Sequence, residues 1–157
     1  MTHEGIPASG ARAKIFQAAL RLFAENGGAE IAVSDLAEAA GIARGTIYNN
    51  INEPENLHGE VAAALAAEMI ARTEEAMRGI DDPAQRIATG LRLFVRRAHE
   101  EQDWGRFLVR FALSNAVLSA MMHGPPARDI ERALANGRFK ADAAKTPSLV
   151  TMLNGAT

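Results

Sequence analysis

The chain has 157 residues, 48% of them hydrophobic and 23% charged, with a net charge of −2 and no cysteine. That balance supports a real core and excludes the disordered class, disulfides, thiolate chemistry and cysteine-based zinc sites. No apolar run approaches membrane-spanning length, and residues 1–11 lack the basic-then-apolar order of a signal peptide, so a soluble, cytoplasmic protein with no membrane partner is expected.

Residues 1–9 read as a loose arm. From Gly10 to Asn26, Ile15, Ala19, Leu22 and Phe23 form a helical stripe, which Gly27 and Gly28 would end. After a short connection at Glu30–Val33 come two short helices joined at Gly41. Ser34 is the expected cap of the first, whose apolar face is Leu36, Ala37 and Ala40. Two helices crossing over so short a turn need a small side chain at the crossing and a residue tolerant of positive φ, which Ala37 and Gly41 supply. Ile47 and Ile51 carry the buried face of the second helix. Its other face shows Arg44, Thr46, Tyr48, Asn49 and Asn50, groups of the kind that reach phosphates and base edges. This is the pattern of a helix-turn-helix.

Glu53-Pro54 restarts a helix, with proline at a first position that needs no amide donor. Its stripe is Leu57, Val61, Leu65 and Met69, and it runs to Met77 before Gly79. Asp82-Pro83 caps the next, which turns Ile87, Leu91, Phe94, Val95 and Ala98 inward. Asp103 is the expected cap of one long helix through Trp104, Phe107, Leu108, Phe111, Val117, Leu118 and Met121, stopped by His123-Gly124-Pro125-Pro126. Ile130 and Leu134 mark a separate helix ended by Asn136-Gly137. Thr146-Pro147 opens an apolar segment with Leu149, Val150, Met152 and Leu153 that stops in mid-pattern, so the helical body is expected to be incomplete at the C-terminus. Strand alternation, repeats and low-complexity tracts are not found. The expected class is all-α.

Charge argues against an indiscriminate nucleic-acid binder. Over residues 1–57, Arg12, Lys14, Arg21 and Arg44 are outnumbered by Glu4, Glu25, Glu30, Asp35, Glu38, Glu53 and Glu55, which predicts weak non-specific binding and a shallow salt slope. His99 and His123 have no partner at metal-ligand spacing. Gly41–Gly45 lacks the Lys and Ser/Thr that follow in a phosphate loop, and no nucleophile–base arrangement stands out, so neither catalysis nor a cofactor is expected.

Residues 13–57, from Ala-Lys-Ile-Phe-Gln-Ala-Ala-Leu-Arg-Leu-Phe-Ala-Glu-Asn-Gly-Gly through Gly-Ile-Ala-Arg-Gly-Thr-Ile-Tyr-Asn-Asn-Ile, closely resemble the N-terminal domain of TetR-family transcriptional regulators. Spacing and residue type agree together at Phe23, Gly27, Leu36, Ala37, Gly41, Gly45, Thr46, Tyr48 and Leu57. The remainder resembles the family's body in architecture and in a loose Gly137-Arg138-Phe139 turn. The resemblance implies a DNA-binding head over residues 1–53 and a ligand-binding and dimerisation body over 54–157. It implies a homodimer that sets two recognition helices into successive major grooves of a palindromic double-stranded operator, most often as a repressor, and is released by a small ligand.

Carried over by position, Arg44 and Thr46 match the start of the recognition helix, Gly45 the close approach of backbone to DNA, Tyr48 a phosphate contact, and Asn49 a base or phosphate contact. Lys14, with Arg12, sits where the first helix or its arm can touch the backbone. Ser34 and Asn50 complete the expected contact set. Departures from the pattern are Ala43 in place of a serine cap, costing roughly 1 kcal/mol, Asn50 in place of histidine or tyrosine, Ile51 in place of phenylalanine, and Pro54 in place of a phosphate-binding lysine. In the body, Met69, Phe94, Trp104, Phe107, Phe111 and Met121 are the candidate lining for an apolar or aromatic effector, although any single residue of such a stripe is more often core. Two other readings stay open. One is a helical small-molecule-binding protein whose head has lost DNA affinity, and the other is an interaction module using the apolar C-terminal segment.

Overall fold

Eight α-helices and no strand make up residues 10–26, 30–112 and 114–153, which the computed structural model describes. In chain order they are α1 (Ala11–Asn26), α2 (Val33–Ala40), α3 (Arg44–Asn50), α4 (Leu57–Ala76), α5 (Pro83–Glu100), α6 (Gln102–Phe111), α7 (Ala116–Ala135) and α8 (Thr146–Leu153). Short 3-10 turns at Pro54–Asn56 and Ala143–Lys145 lead into α4 and α8. The expected arm at residues 1–9 and the glycine stop at Gly27-Gly28 lie outside the described residues. No helix among the described residues is long and apolar enough to cross a membrane.

The buried faces of the first three helices centre on residues that the sequence predicts. Ile15, Phe16, Ala19 and Phe23 of α1 are fully buried, as are Leu36 of α2 and Ile47 of α3, with Ala37 at the crossing. Gly41 sits in the left-handed region at φ 64°, where it costs no Cβ clash, and the Ile42 amide closes the turn onto the Ala37 carbonyl at 3.1 Å.

The core does not stop at the end of the helix-turn-helix. One apolar cluster runs from α1, α2 and α3 through Leu57, Val61, Leu65 and Met69 of α4 to Trp104, Phe107 and Phe111 of α6. Phe23 meets the rings of Phe107 and Phe111 at centroid distances of 5.9 and 6.2 Å. Arg110 of α6 donates to the Phe23 and Ala24 carbonyls, satisfying acceptors in the last turn of α1. A smaller cluster of Ile87, Ile130 and Val150 ties α5, α7 and α8 together.

Several boundaries differ from the sequence expectation. Helix α2 begins two residues early, with Ala32 as its N-cap, so Ser34 lies inside the helix and bonds Asp35 rather than a first-turn amide. Helix α6 starts at Gln102 with Glu101 as N-cap, which leaves Asp103 in the first turn beside Arg106. The long helix expected from Asp103 to Met121 is two. The Ser114 and Asn115 amides both turn back onto the Phe111 carbonyl, and the Asn115 side chain accepts from the Val117 and Leu118 amides to start α7.

The expected stop at His123–Pro126 is overturned. Helix α7 continues through Pro125 and Pro126 to Ala135, merging with the helix expected around Ile130 and Leu134. A proline inside a helix costs about 3 kcal/mol in lost hydrogen bonding and ring clash. Here Leu118 and Met121 on one side, and Ile130 and Ala133 on the other, are all buried, so tertiary packing holds both halves in one helix.

Candidate nucleic-acid interface and ligand cavity

Helix α3 buries Ile47 and presents the rest of its short length to solvent. Arg44, Gly45 and Asn49 are exposed, Thr46 is half-buried, and Tyr48 is 61% exposed, unusual for an aromatic side chain that could have joined the adjacent core. Among the described residues the side chains of Arg44, Tyr48 and Asn49 have no polar partner, so their hydrogen-bonding capacity points outward. Ala43 is the N-cap and contributes no side-chain bond, as its lack of a hydroxyl dictates.

The other expected contact residues fall into different places. Asn50 is half-buried and turns its side-chain amide back onto the Thr46 carbonyl at 2.8 Å, so it stabilises its own helix. Lys14 lines a cleft with Arg21, Glu100, Glu101 and Asp103, none of them on α3. Arg12 is committed internally. Its Nη1 donates to the Asn50 carbonyl at 2.7 Å, its Nη2 pairs with Glu60 at 3.2 Å, and its guanidinium lies 4.8 Å over the Phe16 ring. Arg21 likewise donates to the Ala39 carbonyl. Ser34 is half-buried near the start of α2.

The second feature is a cavity of about 330 Å³ between α4, α5 and α7. Met69, Phe94 and Met121, three of the six residues expected to line a pocket, do line it. Trp104, Phe107 and Phe111 do not. The two phenylalanines close around His58 and Phe23, while Trp104 packs edge-on to Phe94 at 5.0 Å and under the Arg97 guanidinium at 4.7 Å. Their ring area is used up in holding α1, α4, α5 and α6 together. Exposed Ile70 and Val95 mark the side on which the cavity meets solvent.

The wall is almost wholly apolar, with Thr73 and Asp129 as its polar side chains. Thr73 spends its hydroxyl on the Met69 and Ile70 carbonyls of its own helix. Asp129 is buried, and its Oδ1 accepts from Arg86 at 2.9 Å and faces Arg132 at 3.5 Å. Asp129 was missed by sequence reasoning, and a signal was present. Met122, Pro126 and Asp129 follow at i, i+4, i+7, one face of a helix, once the chain is allowed to run through the prolines.

Two family models match the sequence. That of bacterial regulatory proteins, tetR family, matches residues 15–50, and that of the tetracyclin repressor-like C-terminal domain matches residues 82–155. The solved structure of RolR without ligand is similar at 28% identity and a TM-score of 0.59, over 92% of this chain and 81% of that one. No curated protein matches the sequence.

Proposed function

The chain belongs to the TetR family of bacterial regulatory proteins and is a DNA-binding transcription regulator, and on that premise we propose that it is a homodimeric repressor released from a palindromic operator by a small apolar or aromatic effector. The observation that carries this reading is the unpartnered polar face of α3. Arg44, Tyr48 and Asn49 stand exposed with no ligand in the chain, on a helix whose opposite side is anchored by Ile47. Arg44 and Tyr48 supply phosphate contacts, Gly45 lets the backbone come close, and Asn49 has the paired donor and acceptor that match adenine in the major groove. Thr46 and Lys14 are supporting contacts. The effector occupies the cavity between α4, α5 and α7, where four methionine side chains provide an adaptable apolar wall and Asp129 a single polar anchor.

Selection from a random-sequence duplex library followed by footprinting tests the reading. A palindromic footprint that vanishes when Arg44→Ala and Tyr48→Phe are combined, with helicity unchanged, supports it; binding that survives in the double variant rejects the α3 assignment.

A specific observation keeps the alternative of a ligand-binding protein with a weakened head in view. Arg12 is engaged by the Asn50 carbonyl and Glu60, and the exposed Arg21 donates to the Ala39 carbonyl, which leaves Arg44 and Lys14 as the basic groups of residues 10–57 with no bonded partner among the described residues. A selection that yields no operator, from protein that binds apolar ligands with measurable affinity, favours that alternative.

A further inference from the structure

The C-terminal end of the recognition helix is held by a cation from another helix. Helix α3 has seven residues and no N-terminal side-chain cap, so by itself it is too short to persist in water. It packs on α1 and α2 and has little direct packing against α4. Beside the apolar cluster that Ile47 and Ile51 share with Leu57 and Val61, a polar bridge joins its last turn to α4. Arg12 of α1 donates through Nη1 to the carbonyl of Asn50, the last residue of α3, and through Nη2 to Glu60 of α4. Glu60 uses its other oxygen to accept the Glu53 amide at 3.0 Å, just beyond the end of α3. The Phe16 ring beneath the guanidinium fixes its plane, so both arms of the fork are committed at once.

We propose that Arg12 is a positioning residue for DNA binding, a strut that sets the recognition helix against α4 through the Asn50 carbonyl and Glu60, and not a phosphate ligand. The proposal rests on the assignment of α3 as the DNA-reading helix. A guanidinium suits the task because its planar fork meets two acceptors in fixed geometry, whereas an ammonium is a point charge that satisfies them one at a time. Being cationic, it also favours the negative end of the α3 dipole. The helix that carries Glu60 also carries Met69 and Thr73 to the cavity wall, so a displacement of α4 reaches α3 through this bridge.

The two roles give opposite signs in one experiment. The probe is a duplex selected by the wild-type protein from a random-sequence library, titrated at several salt concentrations, with amide hydrogen exchange measured on the free protein. For a strut, Arg12→Lys lowers affinity by about tenfold with an unchanged salt slope, and speeds exchange of the Asn50 and Ile51 amides. For a phosphate ligand, Arg12→Lys keeps most of the affinity, and Arg12→Ala lowers the salt slope by about one per half-site. Glu60→Gln separates them again. Losing the carboxylate loosens the strut and lowers affinity, whereas it would free Arg12 for phosphate and raise affinity. A rise with Glu60→Gln, or unchanged affinity and exchange with Arg12→Lys, overturns the proposal. If the wild-type protein selects no duplex, the DNA-binding assignment itself fails, and the exchange comparison then decides whether Arg12 holds α3.

Discussion

Asp129 of α7 and Arg86 of α5 are joined at 2.9 Å beside the cavity, and the carboxylate is buried while the guanidinium is partly open to solvent. Arg86 also reaches the Met77 and Ile80 carbonyls, so one side chain braces the turn between α4 and α5 against α7. Arg86→Ala strands a buried charge. Because Arg132 remains at 3.5 Å, the cost is expected at roughly 2–3 kcal/mol, below that for a carboxylate left alone. Urea denaturation of the variant checks it. Adding Asp129→Leu to Arg86→Met removes both charges and is expected to recover most of the loss.

Arg44 is exposed and unpaired, so Arg44→Ala should leave the unfolding midpoint within experimental error. It should lower the slope of log affinity against log salt by about one per half-site, if the head binds DNA as proposed. Binding titrations at four or five salt concentrations measure this directly.

His58 lies in the first turn of α4, against Phe23, Phe107 and Phe111, with its Nε2 buried and unpartnered. Burial lowers its pKa from the ordinary histidine value of 6.5. The unfolded chain therefore takes up a proton at a pH where the folded chain does not. Stability is fully present above about pH 6.5, and is lost as the pH falls from there through the lowered folded value. His58→Phe should remove that part of the acid sensitivity. Thermal unfolding at pH 7.5 and 5.5, for wild type and variant, reads the difference.

Two glycines fail for different reasons. At Gly41 an added Cβ meets nothing within 4 Å, but φ is +64°, so Gly41→Ala should cost about 1 kcal/mol in backbone strain, and Gly41→Asn less. At Gly105 the backbone is ordinary, yet an added Cβ would sit 3.0 Å from the Ala98 carbonyl oxygen and 3.4 Å from its Cα. Backbone cannot step aside as a side chain can, so Gly105→Ala should push α5 and α6 apart at about 1–3 kcal/mol. Chemical denaturation of the three variants separates strain from clash.

Much of the head was legible because its signals are local. A glycine at a left-handed turn, an alanine at a crossing and isoleucines at helical spacing each dictate their own few residues, and Gly41, Ala37 and Ile47 behave as read. The misreadings come from positions where distant packing outvotes local preference. Pro125 and Pro126 look like a full stop, yet Leu118 and Ile130 are both sealed in the core and pull the chain straight through. Trp104, Phe107 and Phe111 look like a binding surface by composition, but they spend their rings on neighbouring helices. The bonds of Arg12 to the Asn50 carbonyl and to Glu60 were out of reach for a different reason, since nothing in its surroundings in sequence announces either partner.

The apolar seam that passes from Phe23 to Phe107 and Phe111 has a bearing on how this molecule can be dissected. Severed after residue 53, the first three helices would be left with Phe23 facing water, and would stick or unravel instead of surviving as a portable module. Wedging α6 away from α1 would do the same damage with the chain uncut, so the first three helices and those that follow stand or fall as one body.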